Sequence, residues 1–169
     1  MKAQPNLGPF GELDVVEWVG TPPAPTMAGL RGRVVAIEAF QMLCPGCVIT
    51  GLPQMRKLAA TFPTDDLVVL GLHTVFEHHE AMGPASLRAF LHEFRLTFPV
   101  GIDRPRGLGM PSTMSRLALQ GTPSLLLVDK AGNLRANHFG SVDDLALGAV
   151  VTQLILEPVS EPADEAAAG

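Results

Sequence analysis

The chain has 169 residues, 47% of them hydrophobic, and a mean hydropathy of +0.26, which is enough apolar material for one packed domain and excludes a disordered segment. Its formal net charge of −5, without a basic stripe to neutralise phosphates, excludes a nucleic-acid-binding class. Its two cysteines, Cys44 and Cys47, close too short a loop to act as a staple, which excludes a disulfide-framed domain and makes the pair chemical rather than structural.

Residues 1–14 are rich in Gly and Pro and read as a loosely held extension, without the apolar h-region of a signal peptide. No apolar run approaches the roughly 18 residues that span a bilayer. The expectation is therefore a soluble, cytoplasmic chain with neither membrane nor nucleic acid among its partners. Val15–Val19 is a short strand. Residues 21–25 (TPPAP) are extended or turned, since each proline restricts itself and its predecessor, and 29–33 (GLRGR) form a turn. Val34–Phe40 (VVAIEAF) is a near-continuous β-branched run, the pattern of a central strand buried on two faces.

The C-x-x-C follows at once. From Cys47 to Ala60, apolar residues recur at Val48, Leu52, Met55, Leu58 and Ala59, which predicts a helix with a kink at Pro53. Residues 67–72 (LVVLGL) are a second buried strand, and 73–83 a His-rich loop. Leu87, Phe90, Leu91 and Phe94 put an amphipathic helix over 86–94. A short strand at 98–102, a Gly/Pro-rich loop at 104–111 and a short helix to Leu119 follow. Residues 124–128 are a third apolar strand, 129–132 have hairpin-turn chemistry, and 133–139 return antiparallel. A last helix covers 142–156 with Ser141 as its N-cap, and a Pro/Ala/Glu-rich flexible tail covers 157–169. Right-handed crossovers make the first half a parallel β-α-β unit. The expected architecture is α/β: a mixed sheet with helices on its two faces, in a single domain over 15–156.

The spacing of the cysteines has a chemical rationale. The nucleophile in disulfide exchange is a thiolate, and a position just before a helix lowers the pKa of Cys44 through free backbone N–H groups and the macrodipole. Moving a thiol from about 8.5 to about 7 takes roughly 2 kcal/mol. Two intervening residues bring Cys47 back one turn, within reach of the Cys44 sulfur. Pro45 suits a first helical turn, and Gly46 lets a partner backbone approach. A zinc half-site is the competing reading, but it needs two further Cys or His ligands and no second C-x-x-C exists. Glu38 interrupts the apolar strand six positions before Cys44. A carboxyl there is either buried, with a raised pKa, or turned outward into a salt bridge.

The stretch VVAIEAFQMLCPGCVITGLPQMRKL resembles the active-site strand and helix of thioredoxin-superfamily proteins, most of all the TlpA-like redoxins that border the AhpC/TSA peroxiredoxins. The resemblance continues through LVVLGLHTV, an inserted helix, FPVGID and GTPSLLLVDKAGNL, and covers residues 15–156. It implies a thioredoxin-like fold and a thiol–disulfide oxidoreductase without a cofactor; in a cytosolic chain the redox poise would keep the pair as a dithiol, so the enzyme is expected to act as a reductant. Cys44 would attack, Cys47 would resolve, and the two would form the redox-active disulfide. Pro123 would be a cis-proline facing the motif, leaving the backbone of Thr122 to pair with an extended substrate beside Pro45 and Gly46. Glu38 matches the offset of a buried acid that moves protons to and from the resolving cysteine, although the usual residue in thioredoxin itself is Asp. The implied partners are a disulfide-containing protein or small thiol and an electron-donating reductase system. The chain departs from the pattern at Leu43 and Phe40, where Trp is frequent; its one Trp, Trp18, lies outside the motif, and Met42 and Leu43 make the docking surface aliphatic.

His73, His78 and His79, with Glu77 and Glu80, form a suggestive cluster that reads more simply as a solvated loop and helix start; His92 and His138 read as surface residues. Met42, Met55, Met82, Met110 and Met114 read as core or gap filler rather than a metal site. Two other functions compete. One is a thiol peroxidase with Cys44 peroxidatic and Cys47 resolving, which Gln41 disfavours because peroxiredoxins carry Thr or Ser at that position. The other is a carrier or sensor that binds metal through the thiols and a loop His.

Overall fold

The apolar run at 34–40 becomes the centre of the sheet. Strand β2 (Val34–Phe40) is buried at every position because it is flanked on each side and covered on each face. The computed structural model describes residues 4–20 and 24–158. Within them β2 is joined by β1 (Val15–Val19), β3 (Leu67–His73), β4 (Val100–Asp103), β5 (Ser124–Val128) and β6 (Leu134–Phe139), in the spatial order β1-β4-β3-β2-β5-β6. The pairs β2/β3 and β3/β4 are parallel; β1/β4, β2/β5 and β5/β6 are antiparallel. This is the expected mixed sheet.

The four helices are α1 (Leu52–Thr61), α2 (Pro84–Glu93), α3 (Ser112–Arg116) and α4 (Asp144–Leu156). Period-2 alternation along β2 splits the core. Val34, Ala36 and Phe40 pack with Leu52 and Met55 of α1, Leu87 and Leu91 of α2, and Leu147 and Val151 of α4. Val35, Ile37 and Ala39 face the other way, onto Phe10, Leu30, Met114 of α3 and Leu119. The register sets Glu38 opposite Gly71 and Phe40 opposite His73, at the end of the sheet where β2 runs into the C-x-x-C.

Several local expectations change. The N-terminal segment is tied down rather than loose. Phe10 is 1% exposed, Leu7 N–H donates to the Leu134 carbonyl at 2.8 Å, and the Glu12 carboxylate accepts the N–H groups of Met27 and Ala28 at 2.8 Å each. Pro53 produces a π-helical turn over Cys47–Gly51, ahead of α1, instead of a simple kink. Its ring would clash with the carbonyl four residues back and it has no N–H to give, so the wider turn, closed by Leu52 N–H on the Cys47 carbonyl, accommodates it. Helix α2 starts at Pro84, whose fixed φ suits a first turn. The cap of α4 is Asp143, whose Oδ1 accepts Ala146 N–H at 2.9 Å, and not Ser141. Met110 is 48% exposed, unlike the other methionines read as filler. The tail reading falls on residues 159–169, which lie outside the described residues; Glu157, just before them, pairs with Arg135 at 2.6 Å. Residues 21–23 of the TPPAP stretch also lie outside them.

Candidate active site

The C-x-x-C sits where β2 ends and the π-helical turn begins. Cys44 and Cys47 are joined by a disulfide, with their Cα atoms 5.3 Å apart. The two sulfurs are not equivalent. Cys44 is half-buried at the surface, whereas Cys47 is 0% exposed and belongs to the core. Cys47 N–H donates to Cys44 Sγ at 3.2 Å, a hydrogen bond that favours the anion of a free Cys44 thiol. The carbonyl oxygen of Thr122 lies 3.4 Å from the same sulfur.

The Thr122–Pro123 peptide bond is cis. Its ring packs against the motif so closely that a methyl group placed on Gly46 would lie 3.1 Å from Pro123 Cδ. A side chain at Gly46 would therefore push the proline away, which is a stronger reason for glycine there than partner access alone. Pro123, Thr122, Gly46 and Cys44 thus lie together in the structure.

Glu38 is buried rather than turned outward: it is 2% exposed, and its Oε1 has no hydrogen-bond partner among the described residues. Loss of water pushes its carboxyl pKa from 4.5 up to about 8. It projects to the face that carries Cys47, because 34, 36, 38 and 40 share one side of β2. Beneath the turn, Gly51 lies hard against the Glu38 carboxyl.

His73 departs from the solvated-loop reading. It is the last residue of β3, 1% exposed, with its ring centroid 5.3 Å from that of Phe40, and burial lowers its pKa to about 4. His78 is exposed and borders the cleft beside Cys44, with a left-handed φ of 49°. His92 and His138 are exposed. Among the described residues, no three His, Cys, Asp or Glu side chains are grouped to hold a metal ion, and no helix is long and apolar enough to cross a membrane.

Beside Cys44 lies a cleft of about 300 Å³. Leu43, Pro45, Phe76, Met82, Gly121 and Phe139 supply most of its lining. Sequence reasoning missed Phe76, Met82 and Phe139, which come from a loop and from β6, far apart in the chain. It also missed what holds the loop. The buried Gln41 accepts Phe76 N–H at 3.1 Å and Glu77 N–H at 3.3 Å through its side-chain oxygen.

No protein-family model and no curated protein matches the chain. Solved structures do. A thioredoxin-like superfamily protein is 56% identical, with a TM-score of 0.87 over 89% of this chain and 98% of that one. A thiol-disulfide isomerase from Corynebacterium glutamicum is 46% identical, with a TM-score of 0.84 over 92% and 98%. A thioredoxin-like protein in its oxidised form, 18% identical, shares the fold at a TM-score of 0.69 over 92% and 97%. The chain belongs to the thioredoxin-like superfamily, in keeping with the TlpA-like resemblance. Within it, the protein is an enzyme of the thiol–disulfide oxidoreductase class.

Proposed function

We propose that this enzyme reduces disulfides in proteins or small thiol compounds, in the cytoplasm, and is returned to its dithiol form by a separate reductase system. The observation that carries the reading is the unequal burial of the two sulfurs, one open on a cleft and hydrogen-bonded as an anion would be, the other sealed in the core. The Cys44 thiolate attacks one sulfur of the substrate disulfide, forming a mixed disulfide as the substrate bond breaks and one substrate thiolate leaves. Cys47 then gives its proton to Glu38 in the fraction of molecules whose carboxyl is ionised, attacks Cys44 Sγ and displaces the second substrate thiolate. The substrate gains two electrons and the enzyme ends as the Cys44–Cys47 disulfide. Burial that raises the carboxyl pKa to about 8 makes Glu38 a stronger base than an ordinary carboxylate, which narrows the gap for taking a proton from a thiol. The cytosolic redox poise favours the dithiol, hence the reducing direction.

A substrate strand would lie along the backbone of Thr122 beside cis-Pro123, with Pro45 and Gly46 beneath it. The peroxidase alternative draws no support from Gln41, which spends its side-chain oxygen on the loop 76–77 instead of the sulfur. Insulin disulfide reduction tests the proposal. Cys44→Ser should abolish it, and Cys47→Ser should accumulate a mixed disulfide that a thiol reductant releases. Full activity of Cys44→Ser would overturn it.

A further inference from the structure

Gly51 is buried in the π-helical turn, four residues after Cys47 and with φ −60°, so no left-handed backbone demands a glycine there. Glycine also weakens a helix interior by about 1 kcal/mol relative to alanine. Something other than backbone geometry requires it. A Cβ at that position would collide with Glu38 Oε1, stand 2.9 Å from Glu38 Cδ and 3.3 Å from Pro123 Cβ. The missing methyl is therefore the space that the Glu38 carboxyl occupies.

We propose that Gly51 is a positioning residue for the enzyme's buried acid: the side-chain-free position in the turn admits a glutamate beneath the helix and fixes its carboxyl on the face of Cys47. This rests on the reading of Glu38 as the proton acceptor of the resolving step. The turn and the acid form one packing unit, so a larger residue at 51 calls for a shorter acid at 38. Aspartate is one methylene shorter and leaves room for the methyl of alanine.

The titratable groups on this face are few. Cys47 comes from the turn. His73 comes from β3, across the Phe40 ring, and burial keeps it neutral above pH 6. Leu125 and Leu127 of β5, Met55 of α1 and Leu147 and Val151 of α4 do not ionise. A pH inflection in the resolving step is thus assigned to Glu38 and Cys47.

The test uses the reduced full chain and one equivalent of 5,5′-dithiobis(2-nitrobenzoate). The first thionitrobenzoate released reports attack by Cys44. The second reports proton loss from Cys47 and its attack on the mixed disulfide. Between pH 6 and 10, Gly51→Ala should slow the second phase about tenfold or more and move its inflection, with the first phase within about twofold of wild type. Gly51→Ala/Glu38→Asp should restore most of the second-phase rate. An unchanged second phase in Gly51→Ala, equal slowing of the two phases, or no rescue by the double variant would overturn the proposal. If Glu38→Gln alone leaves the second phase unaltered, the proton-acceptor reading is what fails. Should Gly51→Ala not fold, thermal melts decide: Gly51→Ala/Glu38→Asp must fold with near-wild-type Tm, and its failure to do so would equally overturn the assignment of this space to the carboxyl.

Discussion

One sulfur of the pair is half-buried at the surface and the other is sealed in an apolar cluster, and the proposed division of roles rests on that difference. Cys44 also receives a backbone N–H at 3.2 Å, which lowers the cost of its anion. Reduced protein treated with limiting iodoacetamide near pH 7 should be alkylated at Cys44, with Cys47 modified at least tenfold more slowly; peptide mass spectrometry reads the ratio. Equal labelling of the two would contradict the division of labour. At this scale much of the site was legible. The spacing of the cysteines, the acid in an apolar strand and the G-T-P before another strand all stand out in the linear sequence. Gly51 did not, because a glycine inside a helical stretch signals a close approach without naming what approaches. His73 was misread for a related reason: its neighbours His78 and His79 suggested a polar loop, while its own environment is set by Phe40 on the adjacent strand.

The elements show where long-range contacts override composition. Gly and Pro in the first fourteen residues suggest a loosely held extension, and nothing local reveals that Phe10 fills the core or that Arg116 donates to the Phe10 and Glu12 carbonyls at 2.7 and 2.8 Å. Phe10→Ala should therefore cost about 3–5 kcal/mol of unfolding free energy in urea titrations, as for a buried aromatic and not for a fraying end. The loop of 74–83 is similar. Its wall of the cleft depends on Gln41, buried at the end of β2, whose oxygen takes two backbone donors. Gln41→Leu would leave those donors unmet at a cost of about 1–3 kcal/mol. Amide exchange at Phe76 and Glu77 should accelerate while exchange in β5 stays slow. Unchanged protection at those two amides would show that the loop holds itself.

For the molecule as a whole, two buried groups pull the pH dependence of stability in opposite directions. Glu38 is raised from 4.5 to about 8, so between those values the native state holds a proton that the unfolded chain releases, and stability falls as pH rises. His73 is lowered from 6.5 to about 4, so between those values the unfolded chain binds a proton that the native state refuses, and stability rises with pH. From 4.5 to 6.5 the slopes cancel. Above 6.5 the histidine is neutral in native and unfolded chains alike and Glu38 acts alone, giving a decline of about 1.4 kcal/mol per pH unit that levels off beyond pH 8. Urea denaturation of the disulfide form, in which neither cysteine titrates, should show this plateau and decline. Glu38→Gln should leave a curve that rises from pH 4 to 6.5 and then stays flat, because removal of the acid leaves only the histidine. His73→Phe should do the reverse and start the decline at pH 4.5. A Glu38→Gln protein that still loses stability between pH 6.5 and 8 would mean that another group holds the proton, and the acid assigned to the resolving step would then be the wrong one.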